Sequence, residues 1–142
     1  VAQIKAVLTS DELASATRNC ETVKRLTPNK AAIGASWTSE YNRPYLEGMP
    51  PFFLFAFESQ LTLETVIQRA DPLDAVFLLD RGVALRSTPG GWPMLSDERT
   101  LQDGWVVDAH PDEVLGVLLA WLSLVMPRHE FQVSPLVPYL TD

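Results

Sequence analysis

Polar and apolar residues alternate from the first position, Val1-Ala2-Gln3-Ile4-Lys5-Ala6-Val7-Leu8, which is the period of a strand. Side chains two apart on a strand share a face, so Gln3 and Lys5 emerge together while Ile4 and its apolar neighbours pack. The pattern then changes to steps of three and four. Leu13, Ala16, Cys20 and Val23 form one apolar helical stripe, with Arg18, Glu21, Lys24 and Arg25 on other faces. Thr9 is placed to cap this helix, Glu12 to answer the cap from the third helical position, and Leu8 to staple onto Leu13. Pro28 forbids its continuation.

Between Pro28 and Pro50 the pattern weakens under Asn29, Gly34, Asn42, Pro44 and Gly48, with Ala31 to Trp37 as a short strand. Pro51 to Phe57 is a continuous apolar run of strand length, which predicts a strand covered on both faces. Ser59 to Ala70 returns to helical spacing through Leu63, Val66, Ile67 and Ala70, and Asp71-Pro72 closes it. Asp74 to Leu79 and Val83 to Ser87 flank Asp80-Arg81-Gly82, the pattern of a tight hairpin. Trp92 to Leu95 reads as a brief extended piece and Trp105 to Ala109 as a strand. A last helix starts at His110-Pro111-Asp112-Glu113 and runs to Met126, before Pro127. Its residues are apolar nearly all round, so it is either central or also meets a partner. The tail, Arg128 to Asp142, is expected to lie against the body through Phe131, Leu136 and Tyr139. The reading is a single α/β domain over residues 1–142, a mixed sheet flanked by helices.

Composition narrows the chemistry. Eleven Lys and Arg against eighteen Asp and Glu leave a net charge of −7, which repels phosphate backbones at long range. The first thirty residues nevertheless hold five bases and three acids, so they are locally basic and the rest strongly acidic. One cysteine excludes an internal disulfide and a thiolate metal cage, and points to a cytoplasmic protein. The longest uncharged apolar stretch, Val114 to Met126, has 13 residues. A bilayer span needs about 20, so no membrane association is expected.

Few residues carry candidate chemistry. Gln3 and Lys5 set a carboxamide oxygen, which serves a hard cation, beside an ammonium that orients water or offsets developing phosphate charge. A polar-x-Lys triplet on a half-exposed strand also arises with no function. Lys24 and Arg25 read as phosphate contacts or as solvated charges on a polar helix face. His110 and His129 have no second His or Cys at ligand spacing, so His110 reads as a helix-start residue and His129 as surface. Cys20 sits on the apolar stripe as core filler, and the four tryptophans lack basic interleaving, which favours packing over base stacking.

The blocks QIKAVLTSDELASATRNCETVKRL, PFFLFAFES and LDAVFLLDRGVAL together resemble a bacterial domain family of uncharacterised function whose members look like PD-(D/E)XK nucleases. In that family a strand ending in Glu-x-Lys leads into a helix with a Val-Lys-Arg-Leu-like segment, then into an aromatic-rich strand opening with Pro-Phe-Phe. The resemblance implies a restriction-endonuclease-like fold and a Mg2+-dependent nuclease acting on nucleic acid, in restriction or defence. Gln3 takes the place of the acidic ligand and Lys5 that of the lysine, with Lys24 and Arg25 toward the nucleic acid. Gln3 offers less charge than the usual Glu. The family's metal-binding Asp lies on a preceding strand, so the chain is expected to lack the N-terminal part of such a domain; were these residues the entire mature chain, the site would be incomplete and inactive. The competing class is a non-catalytic acidic module of immunity, chaperone or adaptor type, binding a protein partner through its apolar last helix.

Overall fold

The structure, a computed structural model, describes residues 1–26, 34–37, 39–45, 50–95, 100–126 and 128–130. In chain order the elements are β1 (Ala2–Leu8), α1 (Ser10–Arg25), β2 (Gly34–Trp37), β3 (Phe53–Ser59), α2 (Leu63–Gln68), β4 (Ala75–Leu78), β5 (Gly82–Arg86), β6 (Thr100–Gln102), β7 (Trp105–Asp108), α3 (Val114–Val125) and β8 (Arg128–Glu130). Single 3-10 turns occupy Arg43–Tyr45 and Pro111–Glu113. Six strands form one mixed sheet in the order β1-β3-β4-β5-β7-β6, and β2 pairs with β8 in a separate ribbon. β1, β3 and β4 run parallel, joined through α1 and α2, and the rest is antiparallel.

Two apolar layers hold the sheet between helices. On one face, Leu13, Ala16 and Cys20 of α1 and Leu63, Val66 and Ile67 of α2 meet Leu54, Ala56, Val76, Ala84 and Val107. On the other, Val114, Val117, Trp121 and Val125 of α3 cover Phe55, Ala75, Phe77, Val83 and Leu85. Trp121 anchors that layer, with its ring edge-on to Phe53 and Phe77 at 5.5 and 5.6 Å between centroids.

The helical stripe of α1 and its cap form as the sequence predicts: Thr9 Oγ1 accepts from the Glu12 N–H at 3.2 Å. α2 is shorter than its apolar spacing predicts. Ser59 ends β3 and binds Leu61 through its hydroxyl, so helix begins only after Thr62, which caps it. The hairpin of β4 and β5 is present, with Gly82 at φ 141° where β5 opens. β6 and β8 are strands the pattern did not reveal, at three residues each too short to show a period. Trp92 to Leu95 is a turn, and both of those side chains are buried.

One packing expectation needs correction, and one alternative is decided. Ile4 is 65% exposed, because β1 is an edge strand and α1 covers the face of Gln3 and Lys5 instead. The last helix is not central: Leu115 and Leu119 face outward at 54% and 67% exposure. Among the described residues no helix is long and apolar enough to cross a membrane. The expected contacts of Phe131, Leu136 and Tyr139 lie outside the described residues.

Candidate functional site

Gln3 and Lys5 do share a face, and α1 crosses it. Asn19 Nδ2 donates to Gln3 Oε1 at 3.1 Å, and Lys5 Nζ meets Glu12 Oε2 at 2.6 Å. Glu12 and Asn19 are seven residues apart, two helical turns, and so lie on one face of α1. The helix runs back along the strand, which brings its first turn to Lys5 and its middle to Gln3. The sequence assigns Glu12 to the cap; the structure turns its carboxylate to Lys5 instead. The resulting group holds an amide oxygen, an ammonium and a carboxylate at the rim of the sheet. Lys5 is 19% exposed and Glu12 45%, so water reaches both.

The two candidate phosphate contacts part company. Lys24 Nζ binds Asp74 Oδ2 at 2.8 Å, and the Phe52 N–H donates to the same oxygen at 2.7 Å. That carboxylate ties the end of α1 to the starts of β3 and β4, which gives Lys24 a structural task. Burial and the neighbouring Asp74 push the Tyr45 hydroxyl above its ordinary range. Arg25 is 79% exposed, with Glu21 at 3.9 Å, and remains open to an outside anion. Cys20 donates to Pro72 O at 3.7 Å, and burial pushes its thiol up to about 11, which suits core filling.

A second polar group lies across the sheet. Asp108 ends β7, His110 follows, and Glu113 closes the 3-10 turn; their ligand atoms lie within 4.8 Å of one another, so the three can hold a metal ion. Asp108 is 1% exposed and its carboxylate contacts His110 Nδ1. His110 does stand at a helix start, as its sequence context predicts, but its side chain caps nothing. Four strand spacings of about 4.8 Å separate β7 from β1, roughly 19 Å. No single ion serves both groups.

Ligand spacing between His and Cys alone does not reveal the Asp108 group. The signal was present as Asp-x-His-Pro-x-Glu, in which proline starts a turn that folds the last acid back toward the first. A groove of about 310 Å³ lined by Thr62, Leu63, Asp80, Arg81, Ala109 and Pro111 adjoins this corner. Arg81 is committed there, since Nε and Nη2 both donate to Ser59 O. No family model, curated protein or solved structure matches the chain.

Proposed function

We propose that this chain is a PD-(D/E)XK-like, restriction-endonuclease-like domain that hydrolyses nucleic-acid phosphodiester bonds with a divalent ion such as Mg2+, in restriction or defence. The observation that supports it most is the β1-α1-β3 unit: a strand bearing Gln3 and Lys5, a helix crossing that face, and a parallel aromatic strand beside the first. The resemblance runs through the same order, from a Glu-x-Lys strand through a helix to an aromatic strand. Glu12 sets a carboxylate against Lys5, along the same strand face as the Gln3 amide.

Gln3 Oε1 is the oxygen that a hard ion would take on this strand, while the Glu12 carboxylate, two helical turns from Asn19, stands against Lys5. Such an ion, when bound, activates water and draws charge from a phosphoryl oxygen. Lys5 sets a positive charge beside that position, where negative charge develops on the phosphate. Asn19 fixes the carboxamide, because its N–H holds Oε1 and leaves that oxygen a second lone pair. Arg25 meets the backbone further along α1.

The test is cleavage of plasmid DNA and single-stranded RNA by the full chain with Mg2+ or Mn2+. Lys5→Ala should lower the rate by about 100-fold, the effect of losing one preorganised charge partner. Equal rates for wild type and Lys5→Ala, or no cleavage of either substrate, would remove the proposal.

A second reading draws on one observation: Leu115, Leu119 and Met126 are exposed on and just after α3. Together with the acidic balance, that face favours a non-catalytic module that binds a protein partner. Retained fold with no metal-dependent cleavage favours this alternative.

A further inference from the structure

We propose that Asp108, His110 and Glu113 bind one divalent transition-metal ion, of the Zn2+ or Mn2+ type, at a site independent of β1. The backbone assembles the three donors within six residues. β7 stops at Asp108, Pro111 begins the 3-10 turn, and the Glu113 N–H donates to His110 O at 3.1 Å, which curls Glu113 over the strand end. The platform is rigid, because Gly82 on β5 approaches so closely that a Cβ there would lie 2.2 Å from the Asp108 carbonyl oxygen. Positioning of this kind, on a strand end rather than a long loop, is what a metal site needs.

Burial is graded across the group. Asp108 is buried, His110 half-buried and Glu113 exposed, so an ion enters from the Glu113 side toward the buried carboxylate. With tetrahedral bonds of about 2.1 Å, ligand atoms stand about 3.4 Å apart, so binding spreads the Asp108–His110 contact and draws all three donors, now within 4.8 Å, around the ion.

The donor set selects the metal. Mg2+ keeps an all-oxygen shell, whereas imidazole shifts preference to Zn2+, Mn2+ and their neighbours. Three protein ligands leave a coordination position for water or a small anion, unlike a closed four-ligand structural site.

The experiment is calorimetric titration of the full chain with Zn2+, Mn2+ and Mg2+, with melting curves and the visible spectrum of the Co2+ form. The expected result is one Zn2+ or Mn2+ per chain, bound at least tenfold more tightly than Mg2+, with a raised Tm and cobalt bands that His110→Asn alters. His110→Asn and Glu113→Gln should each weaken binding by at least about tenfold, the least that even an outer partner contributes at metal sites. Glu58→Gln, at an exposed acid on β3, should bind as wild type. If His110→Asn does not fold, Glu113→Gln, at an exposed position, carries the test. No saturable binding, Mg2+ bound as tightly as Zn2+, or unaltered affinity in both ligand variants would overturn the site.

Discussion

The β1-α1 corner and the β7 corner are both polar groups at the rim of one sheet, yet they are built oppositely. The first joins residues from two elements, Gln3 and Lys5 on the strand with Glu12 and Asn19 on the helix, and each side chain has a partner across the gap. The second draws Asp108, His110 and Glu113 from one continuous turn and buries its innermost carboxylate. A group spread over two elements depends on their packing and changes with it. A group folded from one turn depends on backbone geometry at a few positions, and here on the close approach of β5.

That contrast breaks most severely at Gly82. Its φ of 141° and a Cβ that would lie 2.2 Å from Asp108 O make Gly82→Ala strained and obstructed at once. A loss of about 3 kcal/mol or more is expected in urea unfolding, with metal affinity at the β7 corner falling and the Lys5 to Glu12 pairing unchanged. Next is Asp74→Ala, which strands the Phe52 N–H and the half-buried Lys24 ammonium. It should cost roughly 2–3 kcal/mol, for an unsatisfied buried donor and a cation without its partner.

Smaller effects sharpen the comparison. Glu12→Gln removes a half-exposed ion pair, so stability should change by less than about 1 kcal/mol, while cleavage by the proposed centre falls about tenfold or more. Cys20 supplies a pH test of the α1 layer. Its folded thiol is held at about 11 against an ordinary 9.0, so the folded state keeps the proton longer than the unfolded chain. The stability this gives is full below pH 9.0 and is lost as pH rises to about 11. Cys20→Ala should flatten that decline. Least affected is Arg25→Ala, at an exposed pair 3.9 Å apart: stability should stay within about 0.5 kcal/mol, and only nucleic-acid affinity should drop.

These corners also show what a linear reading of the chain can and cannot reach. Strand, cap and helical stripe in the first 25 residues are local patterns, and each has its counterpart in β1 and α1. So is the shared face of Gln3 and Lys5, which follows from the two-residue period of a strand. Which side that face looks to is not local: it depends on where α1 crosses, and Ile4 stands exposed because the helix took the polar side. The second task of Glu12 was hidden for the same reason, since a capping motif and an ion pair with a strand residue use one carboxylate. Lys24 appeared as a surface charge because its partner Asp74 lies fifty residues away. The Asp108 group is legible as a spacing once carboxylates are counted with imidazoles.

The central claim is that the sheet carries two polar centres on separate strands, of which the β7 corner is the stronger metal ligand set. Amide line broadening by Mn2+ in the labelled full chain tests it most directly. Substoichiometric Mn2+ should broaden residues 108–113 first, with residues 3–5 and 12 following only at higher concentration. Broadening that starts at residues 3–5, or that spreads evenly over the surface, would contradict the claim.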